Sequence, residues 1–209
     1  MSSSQGFSNA STGDKHADPY KTANLDSDVT LDQKFNDLNA FIDNCKFGMM
    51  TTIDNKTKNL ASRCMALAAK ESGGTDLLFH TNTESGKTDD LSHNPHVNIS
   101  FLNNSGEWAS VSGISSIETD RALVKKYYSP ELKAWLGDLG DGVHDGSEND
   151  PRIGVIRVKM VRAVYAIASK NLIGRAAEIA QATVTGKPAS VNKLREISEE
   201  EVKQWRASH

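Results

Sequence analysis

From Phe47 onward the chain alternates short apolar runs with tight polar turns, and that spacing constrains the fold more than any other feature. Residues 47–53, 60–69, 77–81, 97–102 and 108–117 each read as a strand, and the breaks between several of them, 54–59, 72–74 and 103–106, are built from Asp, Asn, Ser, Thr, Gly and Lys. A parallel pairing needs a crossover of about a dozen residues or more, so links this short reverse the chain. The pattern predicts a mainly β, antiparallel barrel rather than a doubly wound parallel sheet. A last strong β-run spans 153–167.

Helices are expected around this strand series. Thr30 and Gln33 form a capping box ahead of Leu31, Phe35, Leu38, Phe41 and Ile42, which predicts an amphipathic helix ending near Asn44. A short polar helix is expected around 89–93, and two more between 119 and 136, the second opened by Ser129-Pro130-Glu131. Ser198 with Glu201 predicts a short surface helix near the end of the chain, and Trp135 reads as a core or interface anchor.

With 209 residues the chain fits one domain, yet 37% hydrophobic residues and a mean hydropathy of −0.49 leave little apolar side chain for every segment to fold. Residues 1–28, rich in Ser, Asn, Asp and Thr without apolar period, are expected to be a disordered tail. The folded domain is expected over 29–190, and 191–209 as a C-terminal tail with a short helix.

A net charge of −3 argues against a nucleic-acid surface. No apolar run approaches the roughly 18 residues of a membrane span, and no signal core opens the chain, so a cytoplasmic protein without membrane partners is expected. Cys45 and Cys64 stand in no disulfide or zinc spacing, and the strand phase of Cys64, opposite Arg63, gives it an apolar structural role. No metal is expected: His93 and His96 are separated across Pro95, and the acidic loop 141–146 lacks the ligand pattern of a calcium loop.

Two features carry chemistry. In Phe79-His80-Thr81-Asn82-Thr83-Glu84-Ser85-Gly86-Lys87 a strand ends in hydroxyls, a glycine and a lysine ahead of a helix, which are the parts of a phosphate site; a solvated surface turn is the alternative. Arg63 alternates onto the face of Met65 and Leu67, where a guanidinium needs an anionic partner, either a neighbouring carboxylate or a ligand phosphate.

Taken in order, Met49-Met50-Thr51-Thr52, Ser62-Arg63-Cys64-Met65, Leu78-Phe79-His80-Thr81 with Ser85-Gly86-Lys87, Asn94-Pro95-His96-Val97 and Val111-Ser112-Gly113 resemble successive motifs of the FMN-binding split barrel. The resemblance covers about 31–188 and is to the pyridoxamine 5'-phosphate oxidase-like superfamily, in its general stress protein and fungal blue-light-inducible branch. It implies a homodimer of six-stranded antiparallel split β-barrels with FMN, or FAD as the alternative, at the subunit interface. By the same resemblance Arg63, Lys87 and Ser85 hold the phosphate, Met65, Ala66, His80 and Thr81 line the ring and ribityl chain, and Trp108 contacts the site of the second subunit. The expected function is that of a stress-response flavoprotein, an oxidoreductase of unknown substrate, with a flavin-storing or sensing module without turnover as the alternative. A pyridoxamine 5'-phosphate oxidase is the third reading. Against it, Gly86 and Ala68 stand where those oxidases carry basic residues, and their C-terminal tryptophan and arginine motif is absent. No catalytic side chain is identified.

Overall fold

A computed structural model describes residues 18–209. Its strands are β1 (Phe47–Ile53), β2 (Leu60–Glu71), β3 (Asp76–Asn82), β4 (His96–Leu102), β5 (Trp108–Glu118), β6 (Ile153–Ala168) and β7 (Asn192–Ile197). They form one sheet in the order β3-β2-β1-β4-β5-β6-β7, and β3 also pairs with β6. The first six strands therefore close into an antiparallel barrel. The 16-residue β6 makes this possible, because its first half pairs with β3 while its second half pairs with β7 outside the barrel.

The helices are α1 (Pro19–Asn24), α2 (Leu31–Cys45), α3 (Gly86–His93), α4 (Arg121–Tyr127), α5 (Leu132–Leu136), α6 (Leu172–Thr185) and α7 (Glu199–Arg206). No described helix is long and apolar enough to cross a membrane. Thr30 caps α2 as its spacing predicts, accepting from the Gln33 amide at 3.2 Å. Phe35, Leu38, Phe41 and Ile42 then face the barrel core, which contains Met50, Phe79, Val97, Ile99, Phe101 and Val111. Each such buried side chain contributes about 1.5–3 kcal/mol. A smaller cluster on the opposite face of β3 and β6 packs Leu78, Ile153 and Val155 beneath Val124 of α4.

Bulges bend the barrel. The β5–β6 register shifts between Ser112 and Gly113, and a Cβ on Gly113 would meet the Lys159 carbonyl oxygen at 2.6 Å. Only glycine permits this approach.

Both chain ends depart from expectation. Residues 1–17 lie outside the described residues, but 18–28 are built onto the barrel. Asn24, 3% exposed, accepts from the Val191 and Asn192 amides at 2.9 and 2.8 Å and donates to the Ala189 carbonyl at 2.9 Å. Leu25 bridges Leu194, and Asp26 pairs with Arg195 at 3.0 Å. Polar bonds to an otherwise unpaired sheet edge order this segment without an apolar period. Nor is 191–209 a tail. It supplies β7, with Leu194 and Ile197 buried, and α7 buries Val202 and Trp205, so α7 is not the expected surface helix. Trp205 stacks on Phe35 at 4.5 Å and donates to the Gly73 carbonyl at 3.0 Å.

Candidate functional site

The β2–β3 ladder stops at Leu67 opposite Phe79. Continued in register it would have set Met65 against Thr81. Instead β2 from Leu60 to Ala66 follows β1 alone, while the end of β3 follows β6, and the two strand edges part. A bulge between Leu67 and Ala69 marks the point of divergence. The helix that begins directly after β3, α3, lies at this opening.

Four expected residues meet there. Lys87, in the first turn of α3 and only 9% exposed, directs its ammonium to the Thr81 hydroxyl and to Ser85 Oγ, the latter at 3.2 Å. Both acceptors are neutral. Burial, and then the nearby charge of Arg63, bring the lysine pKa down to about 8. Arg63 donates to Thr52 Oγ1 at 2.9 Å and to Asp90 Oδ2 at 3.0 Å. Asp90, buried on α3, also accepts from the Asn55 amide at 3.0 Å, which ties the β1–β2 hairpin to the helix. Arg63 thus has the carboxylate partner of its structural reading. Lys87 has none, although a second cation stands beside it.

The other expected residues are placed differently. Met65 faces the barrel core next to Leu67, whereas Ala66 is exposed on the outer side of β2. There it helps line a groove of about 320 Å³ with Asp43, Lys46, Phe47 and residues 67–70. His80 points away from Thr81, as strand alternation requires, and its Nε2 bonds the Tyr127 carbonyl at 2.8 Å. A carbonyl only accepts, so Nε2 carries the proton; burial lowers the pKa, partly opposed by this bond. Trp108 lies on the outer face of β5 against Val164, Ala166 and Leu194 rather than with Lys87 and Arg63.

Cys64 takes the strand phase expected of it but is exposed rather than packed, and Trp135 is 87% exposed rather than anchored. Sequence reasoning missed Asp90 and Thr52. The spacing of Lys87 and Asp90, one helical turn apart, was the only available signal for Asp90.

The chain resembles known proteins along nearly all its length. It is 70% identical over 208 residues to Protein bli-3 of Neurospora crassa, covering 99% of this chain and 100% of that one. General Stress Protein 26 from Bacillus anthracis superposes with a TM-score of 0.54 at 23% identity, over 64% of this chain and 93% of the other. A protein assigned as a general stress protein 26 from Jannaschia sp. CCS1 gives 0.61 at 15% identity, over 80% and 99%. These two structures share the split-barrel fold seen here. The family model for pyridoxamine 5'-phosphate oxidase-like proteins matches residues 33–190, the barrel together with α6, and the chain belongs to that family.

Proposed function

We propose that the protein is a dimeric FMN-binding flavoprotein whose cofactor phosphate is held between β2 and α3. The observation that carries this reading is Lys87, a buried lysine with hydroxyl partners only, beside Arg63. Two adjacent cations, of which only Arg63 has a carboxylate partner, leave positive charge that a phosphate would neutralise. Ser85 and Thr81 would donate their hydroxyls. The parted edges of β2 and β3 leave backbone groups free for a flat ligand, and the groove at Ala66 is at the small end of the ligand-pocket range. Arg63, Met65, Ala66, Thr81, Ser85 and Lys87 would hold the flavin, with His80 backing the strand from its other side.

Bound flavin supplies the redox chemistry. The protein's part is to fix it, and His80, kept neutral, adds no charge at the site. An oxidoreductase of unknown substrate is the function this supports. Lys46 and Lys70 line the groove, Lys70 paired with Asp43 at 2.8 Å, but Ala68 and Gly86 stand where the resemblance to pyridoxamine 5'-phosphate oxidases calls for basic residues, which argues against pyridoxamine 5'-phosphate as substrate.

The outer face of the sheet supports the dimer. Phe47, Met49, Thr51 and Ile53 on β1, Leu60, Ser62, Cys64 and Ala66 on β2, His96, Asn98, Ser100 and Leu102 on β4, and Trp108, Ser110 and Ser112 on β5 share that face, as the strand registers require. A quarter of the chain is charged, yet this patch contains no Asp, Glu, Lys or Arg. Phe47 is 58% and Leu102 71% exposed. Charge depletion around exposed aromatic and aliphatic side chains is the composition of an interface core. Trp108 stands on this face, where a second copy would meet it.

Titration with FMN and with riboflavin tests the reading. Lys87→Ala is expected to weaken FMN by about 10- to 100-fold, the loss of one charge-assisted hydrogen bond, and to leave riboflavin unchanged. Equal losses for the two flavins would refute the phosphate site. Absence of a flavin spectrum after incubation of wild type with FMN would refute the cofactor.

A further inference from the structure

The polarity of α6 is inverted for a surface helix of a lone chain. Ile173, Ala176, Ala177, Ala180 and Val184 follow the 3- and 4-residue spacing of one helix face, and all five are exposed. The side turned toward the barrel is the more polar one. There Arg175 donates to the Ser105 carbonyl at 2.7 Å, and Glu178 meets Lys170 and the Ser190 amide. Asn171 caps the start, its side chain accepting from the Gly174 amide at 2.9 Å, and Gly186 closes the end with φ +69°. The helix is therefore well terminated and tethered by its polar side. Its apolar stripe has no cover among the described residues. A 14-residue helix carrying Gly174 is marginal in water on its own, so a stripe of this kind needs an apolar partner surface.

We infer that α6 is a dimer arm, its stripe of Ile173, Ala180 and Val184 packing on the uncharged outer sheet face of a second copy of this chain. The inference rests on the dimer reading above and adds the element that clasps it. Three observations favour a second copy over other occupants. The sheet face accepts an apolar helix without desolvating a carboxylate, ammonium or guanidinium, since it carries no Asp, Glu, Lys or Arg. Arg175 anchors α6 to the turn between β4 and β5, beside Leu102 at the rim of that face, and in a two-fold pair each rim borders the partner's face. Fourteen residues of helix span about 21 Å, more than the roughly 14 Å breadth of four strands.

The test uses the full-length, flavin-loaded protein. Ala180→Glu and Ile173→Glu are measured beside Met49→Glu on the sheet face by sedimentation equilibrium, with melting curves to verify folding. A photo-cross-linking amino acid in place of Ala180 is then activated in an equal mixture of isotopically heavy and light protein. The expected result is a dimer dissociation constant raised at least about tenfold by the α6 variants, since one unpaired carboxylate would be buried. Heavy–light cross-links should fall on peptides of β1, β2, β4 or β5. Dimers that dissociate with Met49→Glu but not with either α6 variant, or cross-links confined to one isotope, would overturn the arm and leave the dimer standing. A monomeric wild type would overturn both, and binding of α6 to lipid vesicles in that monomer would identify the other occupant.

Discussion

Lys87 and Arg63 are neighbouring cations with different partners, Thr81 and Ser85 for the lysine and Thr52 and Asp90 for the arginine, and they carry different obligations. Arg63 neutralises the buried Asp90, so Arg63→Ala strands a carboxylate and should lower the melting temperature of the flavin-free protein by several degrees. Lys87→Met strands no charge and should leave that temperature unchanged or raise it. The titration of Lys87 follows from the same environment. Its pKa is about 8 when folded against 10.5 for an ordinary lysine, so between these limits the unfolded chain binds more protons and this group's contribution to stability rises with pH. Flavin-free wild type should therefore gain stability relative to Lys87→Met from about pH 8 to 10.5. FMN affinity should fall over the same interval as the lysine loses its proton, with riboflavin indifferent. Chemical denaturation and titration across this range check both, and a pH-independent FMN affinity would place the phosphate elsewhere.

The elements at the two ends of the chain hold each other to the barrel. Arg195 of β7 is fully buried, bonded to Asp26, to Asp37 of α2 and, at 3.3 Å, to the Tyr165 hydroxyl. Burial, outweighing Arg195, pushes the Tyr165 pKa up to about 12, and the hydroxyl donates to the Lys34 carbonyl at 2.8 Å. Deleting residues 1–28 removes Asp26 and the three bonds of Asn24, and removal of one partner of a buried pair costs about 3–5 kcal/mol. A domain of this size shifts by about 2–4 °C per kcal/mol, so calorimetry should show a loss near 10 °C. Trp205→Ala, which empties the space over Phe35, should cost about 3–5 kcal/mol and show a similar drop. A deletion variant with unchanged melting temperature would mean that the α1 segment contributes nothing.

At the scale of the molecule, the barrel is closed by polar as well as apolar contacts. Arg157 of β6 reaches Glu71 of β2, Asp76 of β3 and Glu118 at the end of β5, so one guanidinium ties three strands where β3 and β6 complete the ring. The opposite end of the β2–β3 seam stays open, and the uncharged sheet face lies beyond it. If a second copy covers this face, folding is linked to protein concentration. The melting temperature should then rise measurably over a hundredfold increase in concentration, and Met49→Glu should abolish that dependence without unfolding the barrel.

How much of this was legible in the sequence follows from what each signal depends on. Alternation, turn residues and caps act within a few positions, so the six barrel strands, α2 and the antiparallel order were readable in Leu31 to Ile167. Arg63, Ser85 and Lys87 were readable as chemistry because their residue types and the strand-to-helix junction are local. Tertiary structure decided the rest. Whether Arg63 meets a carboxylate depended on α3 folding back over β1 and β2 to bring Asp90 within 3.0 Å. That Lys87 lacks such a partner follows from the same packing. The polar segments 18–28 and 191–209 became part of the fold because Asn24 takes the Val191 and Asn192 amides and Asp26 takes Arg195, across about 170 residues of chain. Hydrogen bonds between segments so far apart leave no periodic trace in sequence, since their only requirement is that the backbone between them has already folded.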